Sequence, residues 1–200
     1  MTAFVISRKD FKYRNVISFY FYFTTLFNGG MVCTYIFYIQ YYGLKDNLLA
    51  LILPGLTPVF YMLIMRNFVS GIPSALIESA KIDGAGEVRI FFQIVLPLLG
   101  SGLATIGLFM ALTYWNDWYN AMLYINTEWK YPLQYMLYNM IQKAAAMARV
   151  ASQLGIPVEN MPTNTLKLAM AVVATGPIIL LYPFVQKYFV KGVTIGSVKG

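Results

Sequence analysis

The chain has 200 residues, of which 58% are apolar and 12% charged, and its formal net charge is +7 at pH 7. Soluble domains carry about a quarter charged residues, so the composition indicates a membrane protein. The absence of histidine excludes histidine-ligated metal sites and Ser-His-Asp catalysis, and a single cysteine, Cys33, excludes a disulfide within the chain. We therefore expect no catalytic residue, no metal and no cofactor.

Four uncharged runs reach, or nearly reach, the roughly 20 residues that a helix needs to cross the hydrocarbon core. They lie between Arg14 and Lys45, between Asp46 and Arg66, between Arg89 and Asp117, and between Lys167 and Lys187. Both faces of each run are apolar, whereas helices of small soluble domains alternate with charged faces. The runs predict an all-α, polytopic membrane protein with about four transmembrane helices.

Glycine and proline predict where these runs depart from regular helix. In the first run, Gly29 and Gly30 predict close helix packing or a local distortion. In the second, Pro54 and Pro58 remove backbone donors, so its outer half is not expected to be a regular helix. In the third, Pro97 is expected near the first turns, where proline is tolerated best.

The segment between the third and fourth runs is mixed in character. Apolar residues recur at helical spacing from Leu133 to Ile141, which predicts an amphipathic helix. Residues 154–165 hold a glycine and two prolines and are predicted to form a loop. Residues 1–6 are apolar and residues 7–14 basic, the reverse of the order in a cleavable signal peptide.

The distribution of Lys and Arg predicts the orientation, because positively charged loops stay in the cytoplasm. Most of these residues precede the first run, lie between the second and third, or follow the fourth. Four crossings then place both termini and the middle loop in the cytoplasm. This topology explains the positive charge, so we expect a lipid bilayer, and no nucleic acid, as its partner.

The middle loop, residues 66–97, contains the most specific pattern in the chain. It reads Glu78-Ser79-Ala80-Lys81-Ile82-Asp83-Gly84, then nine residues, then Ile94-Val95-Leu96-Pro97. Pro73 and Ser74 suit the start of a helix, and Gly84 suits the position just after its end. A short polar helix projecting between two spanning runs is therefore predicted.

This pattern resembles the EAA coupling loop of bacterial ABC importer permeases, where Glu-Ala-Ala-x-x-x-Gly is followed by Ile-x-Leu-Pro. Ser79 stands where the family usually has its second residue, alanine. The resemblance implies a coupling helix that docks on cytoplasmic ATPases, with Glu78 bonding to an arginine there and small residues entering a groove. It assigns the coupling loop to Glu78, Ser79, Ala80, Asp83, Gly84, Ile94, Leu96 and Pro97.

Further segments extend the resemblance to sugar-importer permeases of the maltose type, in particular their oligosaccharide subgroup. These segments are Ser7–Phe11, Ile72-Pro73, Trp115-Asn116 and Tyr182–Gly192. The likeness covers residues 1–200 as one transmembrane permease domain of the type I importer class. It also implies that the family's first two helices are missing, through a misplaced start, a truncated gene or a remodelled short permease.

The resemblance implies a permease subunit, not an enzyme, that moves a sugar or oligosaccharide across the bacterial cytoplasmic membrane. Its implied partners are a second permease subunit, ATP-binding subunits that hydrolyse the nucleotide, an extracytoplasmic solute-binding protein and the sugar itself. Two alternatives stay open: a permease of a non-sugar ABC importer, and a truncated fragment without function. A membrane enzyme such as an intramembrane aspartyl protease is disfavoured, because no run contains a carboxylate.

A sugar path is predicted where the third run ends, at Trp115, Asn116, Asp117 and Trp118. Aromatic faces beside amide and carboxylate groups suit sugar rings and their hydroxyls. Anchoring of the two tryptophans at the membrane interface explains the same residues equally well.

Overall fold

The computed structural model describes residues 1–155, 165 and 167–180. Within these residues the chain is helical and contains no strand, so the prediction of an all-α fold is confirmed. The helices are α1 (Thr2–Ser7), α2 (Arg14–Leu26), α3 (Gly30–Ile36), α4 (Leu49–Ile52), α5 (Val59–Ser70), α6 (Ser74–Ile82), α7 (Glu87–Ile90), α8 (Leu96–Leu98), α9 (Gly100–Trp115), α10 (Tyr119–Tyr124), α11 (Leu133–Gln153) and α12 (Lys167–Leu180).

Tighter and wider turns extend several of these helices. Helix α3 continues as a π-helix over Phe37–Tyr41, and α4 continues as a 3₁₀ turn over Leu53–Gly55. A second π-helix, Phe91–Val95, joins α7 to α8, and a separate 3₁₀ turn covers Glu128–Lys130. The predicted amphipathic helix is α11, which runs well beyond the residues whose periodicity indicated it.

No single described helix is both long and apolar enough to cross a bilayer, but three bent pairs of helices are, by length and composition. The pairs are Arg14–Leu26 with Gly30–Tyr41, bent by 108°, Leu49–Gly55 with Val59–Ser70, bent by 47°, and Glu87–Leu98 with Gly100–Trp115, bent by 77°. They overlap the first three uncharged runs, and the second and third pairs extend past the charged residues Arg66 and Arg89 that bound those runs. Of the fourth run only α12 is described; Pro183 and the segment Tyr182–Gly192 lie outside the described residues.

Two of the three bends between paired helices occur where glycine and proline predicted a departure from regular helix. Gly30 has a φ of 81°, and its N–H donates to Asn28 Oδ1 at 2.9 Å, which turns the chain between α2 and α3. Pro58 precedes α5 in an extended conformation and ends the irregular stretch after Gly55. The distortion at Gly29-Gly30 and the irregular outer half of the second run are thus confirmed.

Pro97 is the second residue of α8 and lies in its first turn, so this prediction is confirmed. Helix α8 directly follows the π-helix Phe91–Val95, which continues from α7. A regular helix would bring its ring against the carbonyl of Gln93, and Pro97 has no N–H to donate. The helix widens just before it, so that the Leu96 N–H donates to the Phe91 carbonyl.

Contacts divide the chain into two compact units. The described part of unit 1 comprises Met1–Met31 and Gly55–Ala111, and that of unit 2 comprises Val32–Pro54 and the described residues from Leu112 onward. The prediction of a single domain over residues 1–200 stays a prediction.

The core of unit 1 joins four segments that are distant in sequence. Its buried side chains are Phe4 of α1, Val69 of α5, Ala80 of α6, and Ile90, Phe91, Val95 and Leu99 of the segment after α6. Ile90 and Val95 have no exposed surface. Helix α1 contacts both α5 and α2. The middle loop is therefore packed on its own unit and does not project freely.

Helix α9 lies close to α5 at a glycine of unit 1. A Cβ on Gly102 would lie 2.8 Å from Phe68 Cγ, so glycine is the residue that permits this contact.

In unit 2 the buried cluster is smaller and largely aromatic. Leu44, Ala50 and Tyr124 are buried together, and Tyr38, Ile39 and Leu123 pack against them. The ring of Tyr124 lies 5.8 Å from that of Tyr35 and 5.6 Å from that of Tyr38. These contacts bring the turn around Leu44 against α10.

Candidate functional site

The predicted polar helix of the middle loop is α6, and its ends are built as the sequence indicated. Pro73 precedes the helix with extended backbone, and its carbonyl accepts the Leu76 N–H at 3.2 Å. Asp83 follows the last helical residue, Ile82. The helix therefore includes Glu78, Ser79 and Ala80 and ends two residues before Gly84, the glycine of the motif.

Gly84 ends the helix by a Schellman motif. Its φ is 77°, its N–H donates to the Lys81 carbonyl at 3.0 Å, and the Ala85 N–H donates to the Ala80 carbonyl at 2.9 Å. The left-handed conformation costs other L-residues roughly 1–2 kcal/mol, so glycine is the residue that suits this turn. The prediction that Gly84 follows the helix end is confirmed.

One face of α6 is packed into unit 1. Ala80 is 8% exposed and belongs to the core cluster, and Ile77 packs against the same cluster. Sequence reasoning expected Ser79 and Ala80 to enter a groove on a partner; that expectation is wrong for Ala80, which is covered by its own chain. Of these two small residues only Ser79 is exposed.

The opposite face of α6 is open and carries charge. Glu78, Ser79 and Asp83 are exposed, and within the described residues neither carboxylate has a hydrogen bond or ion pair. Beside them, Ile82 is 86% exposed and Leu76 is 45% exposed. The open face of α6 therefore combines two unpaired carboxylates with exposed aliphatic side chains.

The second half of the motif lies mainly inside the unit. Ile94 and Leu96 are half-buried and pack against the core cluster, while Pro97 is exposed after the π-helix. These three residues shape the return of the chain into α9. They do not extend the open face of α6.

A group of four charged side chains lies beside the loop, and sequence reasoning missed it. The Arg8 guanidinium contacts the carboxylates of Asp10 and Glu87, and Lys81 Nζ lies 3.1 Å from Asp10 Oδ2 and 3.4 Å from Glu87 Oε1. We call this group the charge ring. Arg8 and Asp10 lie more than seventy positions before Lys81 and Glu87, so the sequence gives no signal that the two pairs meet.

The charge ring perturbs its own members. Hydrogen bonds from Arg8 first, and from Lys81 second, hold the pKa of the Asp10 carboxyl well below its usual range. The pKa of Arg8 is raised, chiefly by its hydrogen bond to Asp10. Asp10 and Arg8 are therefore both held in their charged forms.

The residues predicted for a sugar path have local partners within unit 2. Trp115 Nε1 donates to the Ala174 carbonyl at 3.1 Å, and Asn116 Nδ2 donates to the Leu112 carbonyl at 2.9 Å. Asp117 accepts the backbone N–H of Asn120 at 3.0 Å and its side-chain amide at 2.8 Å, at the start of α10. The ring of Trp118 stacks on Tyr138 at 4.3 Å.

A second charged loop in unit 2 surrounds Asp46, which has a φ of 55°. Its carboxylate accepts the N–H groups of Asn126 and Thr127 at 2.9 and 3.0 Å and the Thr127 hydroxyl at 2.6 Å. Lys130 Nζ donates to Asp46 Oδ2 at 2.7 Å and to its carbonyl at 2.6 Å. These bonds, first of all the one from Lys130, hold the Asp46 pKa well below its usual range.

Comparison with known proteins points to one family. The family model described as "Binding-protein-dependent transport system inner membrane component" matches residues 1–195. The polygalacturonan/rhamnogalacturonan transport system permease protein YtcP of Bacillus subtilis is 44% identical over 200 residues, which are 100% of this chain and 69% of that protein. Protein LplC of the same organism is 41% identical, over 99% of this chain and 66% of that protein.

A solved structure supports the same relationship. The crystal structure of a bacterial ABC transporter that imports the acidic polysaccharide alginate matches with a TM-score of 0.76 and 30% identity. The match covers 94% of this chain and 66% of that chain. The chain thus spans about two thirds of the length of the proteins it resembles here.

Proposed function

Because this chain belongs to the family of binding-protein-dependent transport system inner membrane components, we propose that it is the membrane-spanning permease subunit of an ABC importer for sugars or oligosaccharides. Its relatives are transport permeases and not enzymes. We propose that a separate partner subunit hydrolyses ATP. The cargo class rests on the names of the relatives, which cite polygalacturonan, rhamnogalacturonan and alginate.

The open face of α6 is proposed as the surface that meets the ATPase. Its supporting observation is the difference between the two faces: Ala80 and Ile77 lie in or against the core, while Glu78, Asp83 and Ile82 are exposed and the two carboxylates are unpaired. An arginine of the partner would form a charge-assisted bond with Glu78. Ile82 would supply apolar area, and Ser79 a small side chain that permits close approach.

The remaining motif residues act by supporting that face. Ala80 packs the buried face of α6 into the core, and Gly84 forms the turn that ends the helix. Ile94 and Leu96 pack the chain that follows against the same core. Pro97 accompanies the π-helix that precedes the bend into α9. A helix held in this way moves together with the elements that support it, as alternating access requires of a coupling element.

The proposed location is the cytoplasmic membrane, as a multi-pass subunit with the middle loop and both termini in the cytoplasm. A second permease subunit, ATP-binding subunits and an extracytoplasmic solute-binding protein complete the importer. Trp115, Asn116, Asp117 and Trp118 stay a proposal for the sugar path. Of these, Asn116 and Trp118 are exposed, and Trp118 keeps 36% of its surface.

Charge reversal at Glu78 tests the docking role. In membranes that contain the assembled importer, Glu78→Arg is expected to leave insertion of this chain unchanged and to weaken co-purification of the ATPase by about tenfold or more, the equivalent of losing one good interaction. The matched control is Glu128→Arg, because Glu128 is also an exposed glutamate, 80% exposed at its side chain, but lies in unit 2. Undiminished association of the Glu78→Arg chain would refute the docking role.

A further inference from the structure

We propose that Arg8 is a positioning residue for coupling: it ties the loop that carries α6 to the end of α1, so that a displacement of α6 reaches α1 and α2 as well as α5. This inference rests on the proposed function, because it concerns how motion leaves the surface that the ATPase contacts. It adds a second connection through which motion of α6 is transmitted, beside the apolar contacts of Ala80 with Val69 and Ile90 in the core.

Arg8 stands at a junction of three segments of unit 1. It directly follows α1, where the backbone turns extended at φ −75° and ψ 131°. Its Nη1 contacts Glu87, the first residue of α7, while Nε donates to Asp10 Oδ1 at 2.9 Å and Nη2 contacts Asp10 Oδ2. The fork of a guanidinium can serve two carboxylates at once, which a single ammonium does with less directional control.

The Arg8 side chain is more enclosed than its partners. It is 12% exposed, whereas the Asp10 and Glu87 side chains are 58% and 57% exposed. Its guanidinium carbon lies 5.6 Å from the centre of the Phe4 ring, which in turn lies 5.5 Å from the ring of Phe91. Arg8 is therefore held between the apolar core and the carboxylates, in one orientation.

Lys81 closes the charge ring from the coupling helix itself. It lies in the last turn of α6 and contacts both Asp10 and Glu87. Each carboxylate of the ring thus has two cations, and each cation has two carboxylates. A network of this kind holds its geometry better than an isolated surface pair.

The charge ring contributes more to the relative position of α1 and the α6 loop than to the free energy of folding. Ala3, Phe4 and Ile6 already bury α1, so apolar contacts hold that helix in place without the charges. Ion pairs with exposed members contribute little to folding. The directional bonds that Arg8 and Lys81 make to Glu87 add a fixed orientation between the end of α1 and the loop that carries α6, beyond what the apolar contacts provide.

The neighbouring Lys9 offers a matched control. It is exposed, carries the same charge one residue away, and forms no ion pair or hydrogen bond within the described residues. Arg8→Gln and Lys9→Gln therefore remove equal charge from the same segment. They differ in that only Arg8→Gln opens the ring.

The experiment uses the complete importer in lipid vesicles and measures three quantities: co-purification of the ATPase, ATP hydrolysis, and sugar taken up. Arg8→Gln is expected to leave co-purification of the ATPase and ATP hydrolysis unchanged. It should raise the number of ATP molecules hydrolysed per sugar at least about fivefold, which is the size of a typical coupling between two sites. Arg8→Lys should fall between wild type and Arg8→Gln, because its single ammonium bridges the carboxylates less well. Lys9→Gln should match wild type.

Two outcomes would overturn the inference. One is an ATP-to-sugar ratio in Arg8→Gln equal to that of Lys9→Gln; the other is loss of ATPase association in Arg8→Gln, which would make Arg8 an assembly residue. If Arg8→Gln does not accumulate in the membrane, Glu87→Gln decides, and normal coupling in that variant refutes the inference. The proposed function fails by a separate result, unaltered ATPase association in Glu78→Arg.

Discussion

The loop around Asp46 in unit 2 and the loop around Glu78 in unit 1 are both charged and both sharply turned, yet they use their charges in opposite ways. The Asp46 carboxylate receives bonds from Asn126, Thr127 and Lys130, all within its own unit. The Glu78 carboxylate has no partner within the described residues, and Ile82 beside it is 86% exposed.

This difference separates a structural loop from a docking loop. A carboxylate with all its bonds supplied internally stabilises the loop and has little left to offer another molecule. An unpaired carboxylate beside exposed apolar surface gains from a partner that supplies a cation and covers the aliphatic groups. The charge ring is intermediate between the two loops, because its charges are paired but both of its carboxylates, Asp10 and Glu87, are more than half exposed.

The largest expected effect is on stability, and it compares a buried with an exposed isoleucine of the middle loop. Ile90 has no exposed surface, so Ile90→Ala should lower the free energy of unfolding by about 2–5 kcal/mol through the cavity it leaves. Ile82→Ala should change that free energy by less than about 0.5 kcal/mol and instead weaken ATPase binding. Thermal unfolding in detergent and co-purification measure the two effects.

The isoleucine comparison can fail in either direction. Equal destabilisation by the two variants would mean that α6 is not packed by one face only. Unchanged ATPase association in Ile82→Ala and in Glu78→Arg would remove the open face from the docking surface.

A smaller effect is expected from salt on the interaction energies of two ion pairs, Arg8 with Glu87 and Asp46 with Lys130. In a double-mutant cycle, the coupling of Arg8 to Glu87 should be about 0.2–1 kcal/mol, because the Glu87 side chain is 57% exposed and water and salt screen its charge. It should fall towards zero between about 0.1 M and about 1 M salt, because the Debye length shrinks from about 10 Å to about 3 Å. The coupling of Asp46 to Lys130 should persist, since their side chains are only 26% and 20% exposed.

The coupling of Asp46 to Lys130 should not depend on pH near neutrality. The Asp46 pKa is lowered in the folded chain, first of all by its hydrogen bond from Lys130, so its contribution is fully present above the usual value of about 3.9 and is lost only as pH falls towards the lower folded value. A cycle at neutral pH therefore reports on salt alone. Greater salt sensitivity for Asp46 with Lys130 than for Arg8 with Glu87 would contradict the distinction between the loops.

The sequence predicted features that depend on local chemistry. The uncharged runs, the breaks at Gly30 and before Pro58, the extent of α6 and the role of Gly84 follow from backbone rules that act over a few residues. The family resemblance likewise depended on spacing within one loop. These predictions agree with the structure because each signal and its consequence lie close together in the chain.

Features that depend on distant contacts were not predictable from the pattern. Ala80 is small, and its size alone does not distinguish a buried anchor from a groove contact; packing of Phe4 and Ile90 decides that it is buried. The charge ring joins Arg8 to Glu87, and the Asp46 carboxylate meets Lys130, across long stretches of sequence. The bend between α8 and α9 also lacked a clear signal, because a proline in the first turn of a helix does not by itself predict a bend after it.

Site-directed labelling tests the central claim, that the open face of α6 lies in the cytoplasm under an ATPase. In a Cys33→Ser background, the Ile82→Cys and Trp129→Cys chains would be exposed to a membrane-impermeant maleimide, since Ile82 and Trp129 are 86% and 79% exposed. The account predicts that Ile82→Cys is labelled only in inside-out vesicles, less so with bound ATPase, and Trp129→Cys only in right-side-out vesicles. Labelling of Ile82→Cys from outside the cell would contradict it.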